Sequence, residues 1–268
     1  MNSDLKWILS SPSLMNTPRG VISFAELYGQ TGFRTPLETD NPVTSPPIRL
    51  GIYYENLVEE LINSNPDIID YKRNIQVKRD KVTLGEFDFI GNHQTASFHL
   101  ECAIKFYLRV GPGDQLSDYI GPGKKDRLDI KWKRLVEHQL PLSITAEGIS
   151  TCKTHDVLSP TQALLLQGYL FHPFKESVPE KIAPEINPNH LNGWWLKQSY
   201  VELLGADLKF AQMHKPYWLT PNINQAMHIE ELKERLKEIE FPILITRGKF
   251  SNNQWEEHDR GFIVPDTW

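Results

Sequence analysis

Two carboxylates and an ammonium in the middle of the chain, Asp88, Glu101 and Lys105, are spaced for joint chemistry. Between positions 98 and 108 the even residues (Phe98, Leu100, Cys102, Ile104, Phe106, Leu108) are apolar, and the odd ones are His99, Glu101, Ala103, Lys105 and Tyr107. Side chains alternate across a strand, so one face is core and the other carries Glu101 with Lys105. Upstream, Glu86 and Asp88 share one face while Phe87 and Phe89 share the other. A hairpin of these two segments sets Asp88 beside Glu101. Converging carboxylates suit a hard divalent cation, Mg²⁺ or Mn²⁺, which accepts one or two of them and keeps several waters. Such a cation can activate water against a phosphodiester. Lys105 can orient that water or offset the added negative charge. The same spacing also fits a solvated Glu101–Lys105 pair on an exposed sheet face, and the sequence leaves both readings open.

The elements expected to hold these groups follow from periodicity. Residues 4–15 and 50–63 read as helices, the second from Leu50, Tyr54, Leu57, Val58 and Leu61, with Asn65-Pro66 as its stop. Period-two patterns then predict strands over 69–78, 82–90 and 98–110. Turns are expected at 79–81 and 91–94. A helix is expected from about 125 to 140. Further on, a short helix at 160–167 feeding a strand at 168–174, a strand beginning at Trp194-Trp195, a helix at 229–239 and strands at 241–246 and 262–264 are expected. Residues 256–260 read as a polar turn. Residues 30–48 form a Thr- and Pro-rich loop and 175–190 an irregular Pro-rich stretch. The division this gives is 1–48, an N-terminal helix and loop; 49–174, the core; and 175–268, an α+β elaboration.

Other side chains are candidates beside ordinary alternatives. Glu55 borders the apolar stripe of its helix and can serve as an auxiliary ligand; Glu59 and Glu60 read as solvated, and Glu86 as peripheral or exposed. Lys124, Lys125, Arg127, Lys131, Lys133 and Arg134 fall within eleven residues. Such a run can contact phosphates or form a solvated face, and Asp126 and Asp129 dilute it. Gln139 can reach a nucleotide or cap a helix. Trp194, Trp195 and Trp218 can stack on bases or sit in a core. His190, His214 and His258 have no ligand spacing.

The bulk numbers bound these readings. The chain has 268 residues, 40% apolar and 24% charged, with a net charge of -5. A uniformly basic nucleic-acid surface is excluded, so any such contact needs a local patch. Cys102 and Cys152 belong to no CxxC motif and offer neither a zinc site nor a disulfide framework. No segment approaches the roughly 20 apolar residues of a membrane span, and residues 1–9 do not read as a signal peptide, so the cytoplasm is the expected location.

Gly85-Glu86-Phe87-Asp88-Phe89-Ile90, a turn, then Phe98-His99-Leu100-Glu101 resembles the core of PD-(D/E)XK nucleases. The resemblance covers roughly 49–140 and extends at most to 174. It implies an α/β fold with an αβββαβ core and mixed central sheet, and Mg²⁺-dependent phosphodiester hydrolysis. It makes Asp88 and Glu101 metal ligands, matches Glu55 to the Glu often carried by the first helix, and calls for a catalytic Lys. Where that Lys is expected, two positions after Glu101, stands Ala103; Lys105 lies two residues further on the same face and is the candidate ammonium. Gln139 is followed four residues later by Ser143, so the Gln-x-x-x-Tyr element of some of these nucleases is not matched. The pieces Asp4-Leu5-Lys6-Trp7, Arg49 to Glu55, Glu101 to Leu108 and Arg260 to Pro265 also resemble a bacterial family of domains placed in this superfamily. The implied activity is that of a metal-dependent nuclease on DNA or RNA. The alternative is a non-catalytic nucleic-acid-binding or protein-interaction protein on the same fold.

Overall fold

The computed structural model describes residues 2–29, 49–176, 179 and 181–268. The expected Pro-rich loop at 30–48 lies outside the described residues. The protein is α/β, its strands joined in a mixed parallel and antiparallel sheet. Two compact units interleave along the chain. The first includes 51–104 and 130–167; the second includes 105–129 and 168–268.

The first unit holds the expected order of helix, three strands and helix. Helix α1 (Ser3–Ser10) is capped by Asn2 and stops before Pro12, short of the expected end at 15. A two-residue strand β1 (Ile22–Ser23) leads into α2 (Phe24–Tyr28), closed by a Ser23/Glu26 capping box. Helix α3 (Leu50–Ser64) buries Tyr53, Tyr54, Leu57, Val58, Leu61 and Ile62, one continuous stripe at helical spacing. Its polar tips are satisfied: the Tyr53 hydroxyl donates to Asp4 (2.6 Å) and that of Tyr54 to Gln167 (2.7 Å). The Gln167 amide donates in turn to the Ile8 and Ser11 carbonyls.

Strands β2 (Ile68–Arg79) and β3 (Val82–His93) form a long antiparallel hairpin. Its turn uses Asp80 at φ 54, a backbone region Asp tolerates. Strand β3 continues through 91–93, so the next turn falls at 94–96 rather than 91–94. Strand β4 (Ser97–Arg109) pairs antiparallel with β3 over only four residue pairs, from Asn92↔Ser97 to Phe89↔Leu100. Phe98, Leu100, Ile104 and Phe106 are buried as the alternation requires. The other face is closed too, since His99 and Glu101 have no exposure. This excludes the solvated, exposed-face reading for Glu101.

Helix α4 (Leu128–Arg134) starts later than expected and runs into a π-helical turn at Leu135–Gln139 and a 3-10 turn at Leu140–Ile144. Helix α5 (Ala146–Lys153), capped by Thr145, was not anticipated. Residues 161–167, expected as helix, are the beginning of β6 (Thr161–Pro173). The run Ala163-Leu164-Leu165-Leu166 is buried throughout, and a continuous apolar run of this length has no diagnostic period.

In the second unit β5 (Tyr119–Ile120) pairs with the end of β4. The second half of β6 pairs in parallel with β7 (Leu191–Lys197). Strand β7 pairs in parallel with β10 (Gln254–Val264), followed outward by β9 (Ile243–Ser251) and β8 (Lys209–Met213), both antiparallel. The expected polar turn at 256–260 is therefore strand. Three of its charges pair inside the β9–β10 hairpin, Asp259 with Arg247 and Arg260 with Glu257. Helix α6 (Ile229–Leu236) packs Leu232 and Leu236 onto Phe210, Ile245 and Ile263. Gly168 permits a close approach in this unit: at φ +137, a Cβ there would meet the Lys105 carbonyl oxygen at 1.7 Å.

Candidate active site

Asp88 lies one step beyond the last β3–β4 pair, where the ladder stops and side chains take over. The Asp88 carboxylate accepts the Cys102 backbone N–H at 2.9 Å, supplying the acceptor that the strand backbone no longer provides. Across from Asp88 on β2, at the matching register position, Asn74 adopts φ 55, a local reversal of the strand backbone.

Glu101 is wholly buried, and both of its oxygens are held. His99 Nε2 lies 2.9 Å from Oε1, and Gln139 Nε2 donates to Oε2 at 2.7 Å. Lys131 donates to the Gln139 carbonyl oxygen at 3.0 Å, linking α4 to β4 through the amide. The π-helical turn widens the backbone where Gln139 emerges; such turns recur at functional sites.

Burial dominates the electrostatics, and the charge of Glu101 adds to it at Asp88. Burial first, then repulsion from Glu101, pushes the Asp88 carboxyl up to about 7. Burial also pushes Glu101 up to about 7, against the pull of Lys131 and of hydrogen bonds from Asp88 and Gln139. Glu55 is raised by burial and by the charge of Asp88. Burial depresses the His99 imidazole to about 4, so it is neutral at ordinary pH. The Cys102 thiol is pushed well up, chiefly by burial. It therefore remains protonated and is no nucleophile.

The predicted residues fare differently. Asp88 and Glu101 are brought together. Glu55 faces Arg73 at 3.6 Å instead of completing a cluster. Arg73 also bonds Glu59 and Asn56 and lies over the Phe89 ring. Among the described residues, no group of three or more His, Cys, Asp or Glu side chains is arranged to hold a metal. Lys105 belongs to the second unit, where its ammonium donates to Asp126 at 2.5 Å. Lys124 there sits over the Trp268 ring, Lys125 is exposed, and Arg127 forms a two-bond pair with Asp129. Lys131 and Gln139, expected at nucleic acid, are linked to Glu101, Lys131 through the Gln139 amide. Trp194 and Trp218 are buried and donate to Asp259 and the Met213 carbonyl, which makes them core residues. Trp195 donates to the Arg109 carbonyl. His99 was missed; its one signal was the two-residue spacing from Glu101 on a single strand.

The sequence signature described as domain of unknown function (DUF1853) matches residues 3–264, nearly the whole chain. The chain belongs to the DUF1853 family. No curated protein and no solved structure matches it. No helix among the described residues is long and apolar enough to cross a membrane.

Proposed function

We propose that this DUF1853 protein is a Mg²⁺- or Mn²⁺-dependent phosphodiesterase acting on DNA or RNA, built on a PD-(D/E)XK-like core. The observation that carries the reading is the buried pair Asp88 and Glu101, each pushed up to about 7. Burial opposes ionisation of both groups, and the charge of Glu101 adds to it at Asp88; Lys131 offsets part of that cost, and two carboxylates shifted this far in one place mark a candidate functional site.

The donor set fits a small hard cation: carboxylate oxygens from two adjacent strands, one residue from the point where the strands stop pairing. Asp88 and Glu101 would hold it. When bound, it supplies a Lewis acid that activates water and offsets charge on a phosphodiester. Glu55, tied to Arg73, serves as a nearby negative charge rather than a direct ligand. Lys131 stands where the first unit offers an ammonium. It donates to Gln139, and its charge stabilises both carboxylates and any added phosphoryl charge. Lys105, the candidate by strand spacing, is paired with Asp126, whereas the charge of Lys131 reaches both Asp88 and Glu101, so the role is assigned to Lys131.

Calorimetric titration with Mn²⁺ tests this reading. The unaltered protein should bind Mn²⁺ with proton release near neutral pH, because cation and proton compete for the same oxygens. Glu101→Gln should lose at least about tenfold in affinity. Equal affinity in both proteins would remove the site.

A further inference from the structure

We infer that His99 is a positioning residue that fixes Glu101 in its ligating orientation; the inference rests on the metal-site reading above. His99 and Glu101 sit two residues apart on β4, and both are completely buried. The ring is fixed from two directions. Nε2 is 2.9 Å from Glu101 Oε1, and the ring meets Phe87 edge-on, with centroids 4.6 Å apart and planes at 69°. Nδ1 has no hydrogen-bond partner. An orphaned lone pair costs less than an orphaned N–H, so the proton belongs on Nε2, where the Glu101 carboxylate accepts it.

Glu101 is then gripped on both oxygens, by His99 on Oε1 and by Gln139 on Oε2. Donors on opposite oxygens hold the plane of the carboxylate, so the group cannot rotate away. A fully buried imidazole with an unsatisfied nitrogen is a poor choice for packing alone, since an apolar side chain of that volume would cost less. Its contribution lies in the donor it presents to Glu101. Hydrogen-bond partners of ligating groups act in this way, orienting the ligand and setting its basicity.

The test compares His99→Leu, which removes the donor, with His99→Gln, which restores one at about the same reach. Mn²⁺ affinity is measured by calorimetry, and the melting temperature in EDTA monitors the fold. His99→Leu should weaken Mn²⁺ binding by about tenfold or more, and His99→Gln should recover to within about threefold of the unaltered protein. In EDTA, His99→Leu should melt no lower than His99→Gln. Equal Mn²⁺ affinity in all three proteins overturns the positioning role. So does equal weakening in both variants, which would make the imidazole a matter of shape. If the unaltered protein takes up no Mn²⁺, the proposed function fails first and this inference falls with it; that outcome is distinct from binding that is indifferent to His99.

Discussion

Replacing Asp88 by Asn should stabilise the metal-free protein in a pH-dependent way. Asn keeps the shape and the carbonyl oxygen that accepts the Cys102 N–H, but removes the charge that burial and Glu101 oppose. The Asp88 carboxyl moves from an ordinary 3.8 to about 7 on folding. A folded value above the unfolded one favours the protonated form. The stability this group contributes is therefore complete below about 4 and is lost as pH rises to about 7. At about 1.4 kcal/mol per factor of ten, that gap bounds the gain from Asn at about 4 kcal/mol at pH 8. Partial solvent access and shared titration with Glu101 reduce it to about 2 kcal/mol, or a rise in melting temperature of several degrees. Thermal unfolding in EDTA at pH 5 and pH 8 measures it. The gain should be clear at pH 8 and small at pH 5. Saturating Mn²⁺ should reverse the order, raising the melting point of the unaltered protein more than that of Asp88→Asn. Destabilisation by Asn at pH 8 in EDTA, or a gain independent of pH, would refute a carboxylate whose ionisation costs stability at this position.

Lys131→Met should abolish most cleavage while leaving Mn²⁺ affinity unchanged or slightly higher, as seen in parallel kinetic and calorimetric titrations. Lys105→Met should keep most cleavage; a loss as deep as that of Lys131→Met would return the catalytic ammonium to β4. Gln139→Leu frees one oxygen of Glu101 and should cost at least about 1 kcal/mol of stability in EDTA from the unmet buried acceptor, measured by denaturant unfolding at pH 8. Gly168→Ala forces a side chain against the Lys105 carbonyl at a left-handed φ and should destabilise by about 3 kcal/mol or more, or yield no soluble protein.

The strands that carry the site were legible because they alternate. Phe87, Phe89, Phe98, Leu100 and Ile104 mark the buried positions, and that pattern sets Asp88 and Glu101 next to each other. The pairing of Lys105 with Asp126 was not legible, because alternation places a residue on a face without saying what meets it there, and Asp126 is a long-range partner. Lys131 and Gln139 were read as candidates for phosphate or nucleotide contact, with no sign of their link to Glu101. Gln139 emerges from a π-helical turn, and no residue type announces one. The β9–β10 hairpin was read as two short strands because its middle, Arg247 to Arg260, is charged. Arg247 with Asp259 and Arg260 with Glu257 satisfy one another on the sheet, so a polar stretch there is not a loop. Residues 161–167 failed for the opposite reason, being apolar at every step from Ala163 to Leu166.

Incubation of the purified protein with mixed single- and double-stranded DNA and RNA, in Mg²⁺, Mn²⁺ or EDTA, beside Asp88→Ala, bears most directly on the phosphodiesterase claim. The expected result is cleavage of at least one substrate that requires the cation and disappears in Asp88→Ala. Cleavage that survives EDTA or Asp88→Ala, or nucleic-acid binding without cation dependence and without turnover, would contradict it.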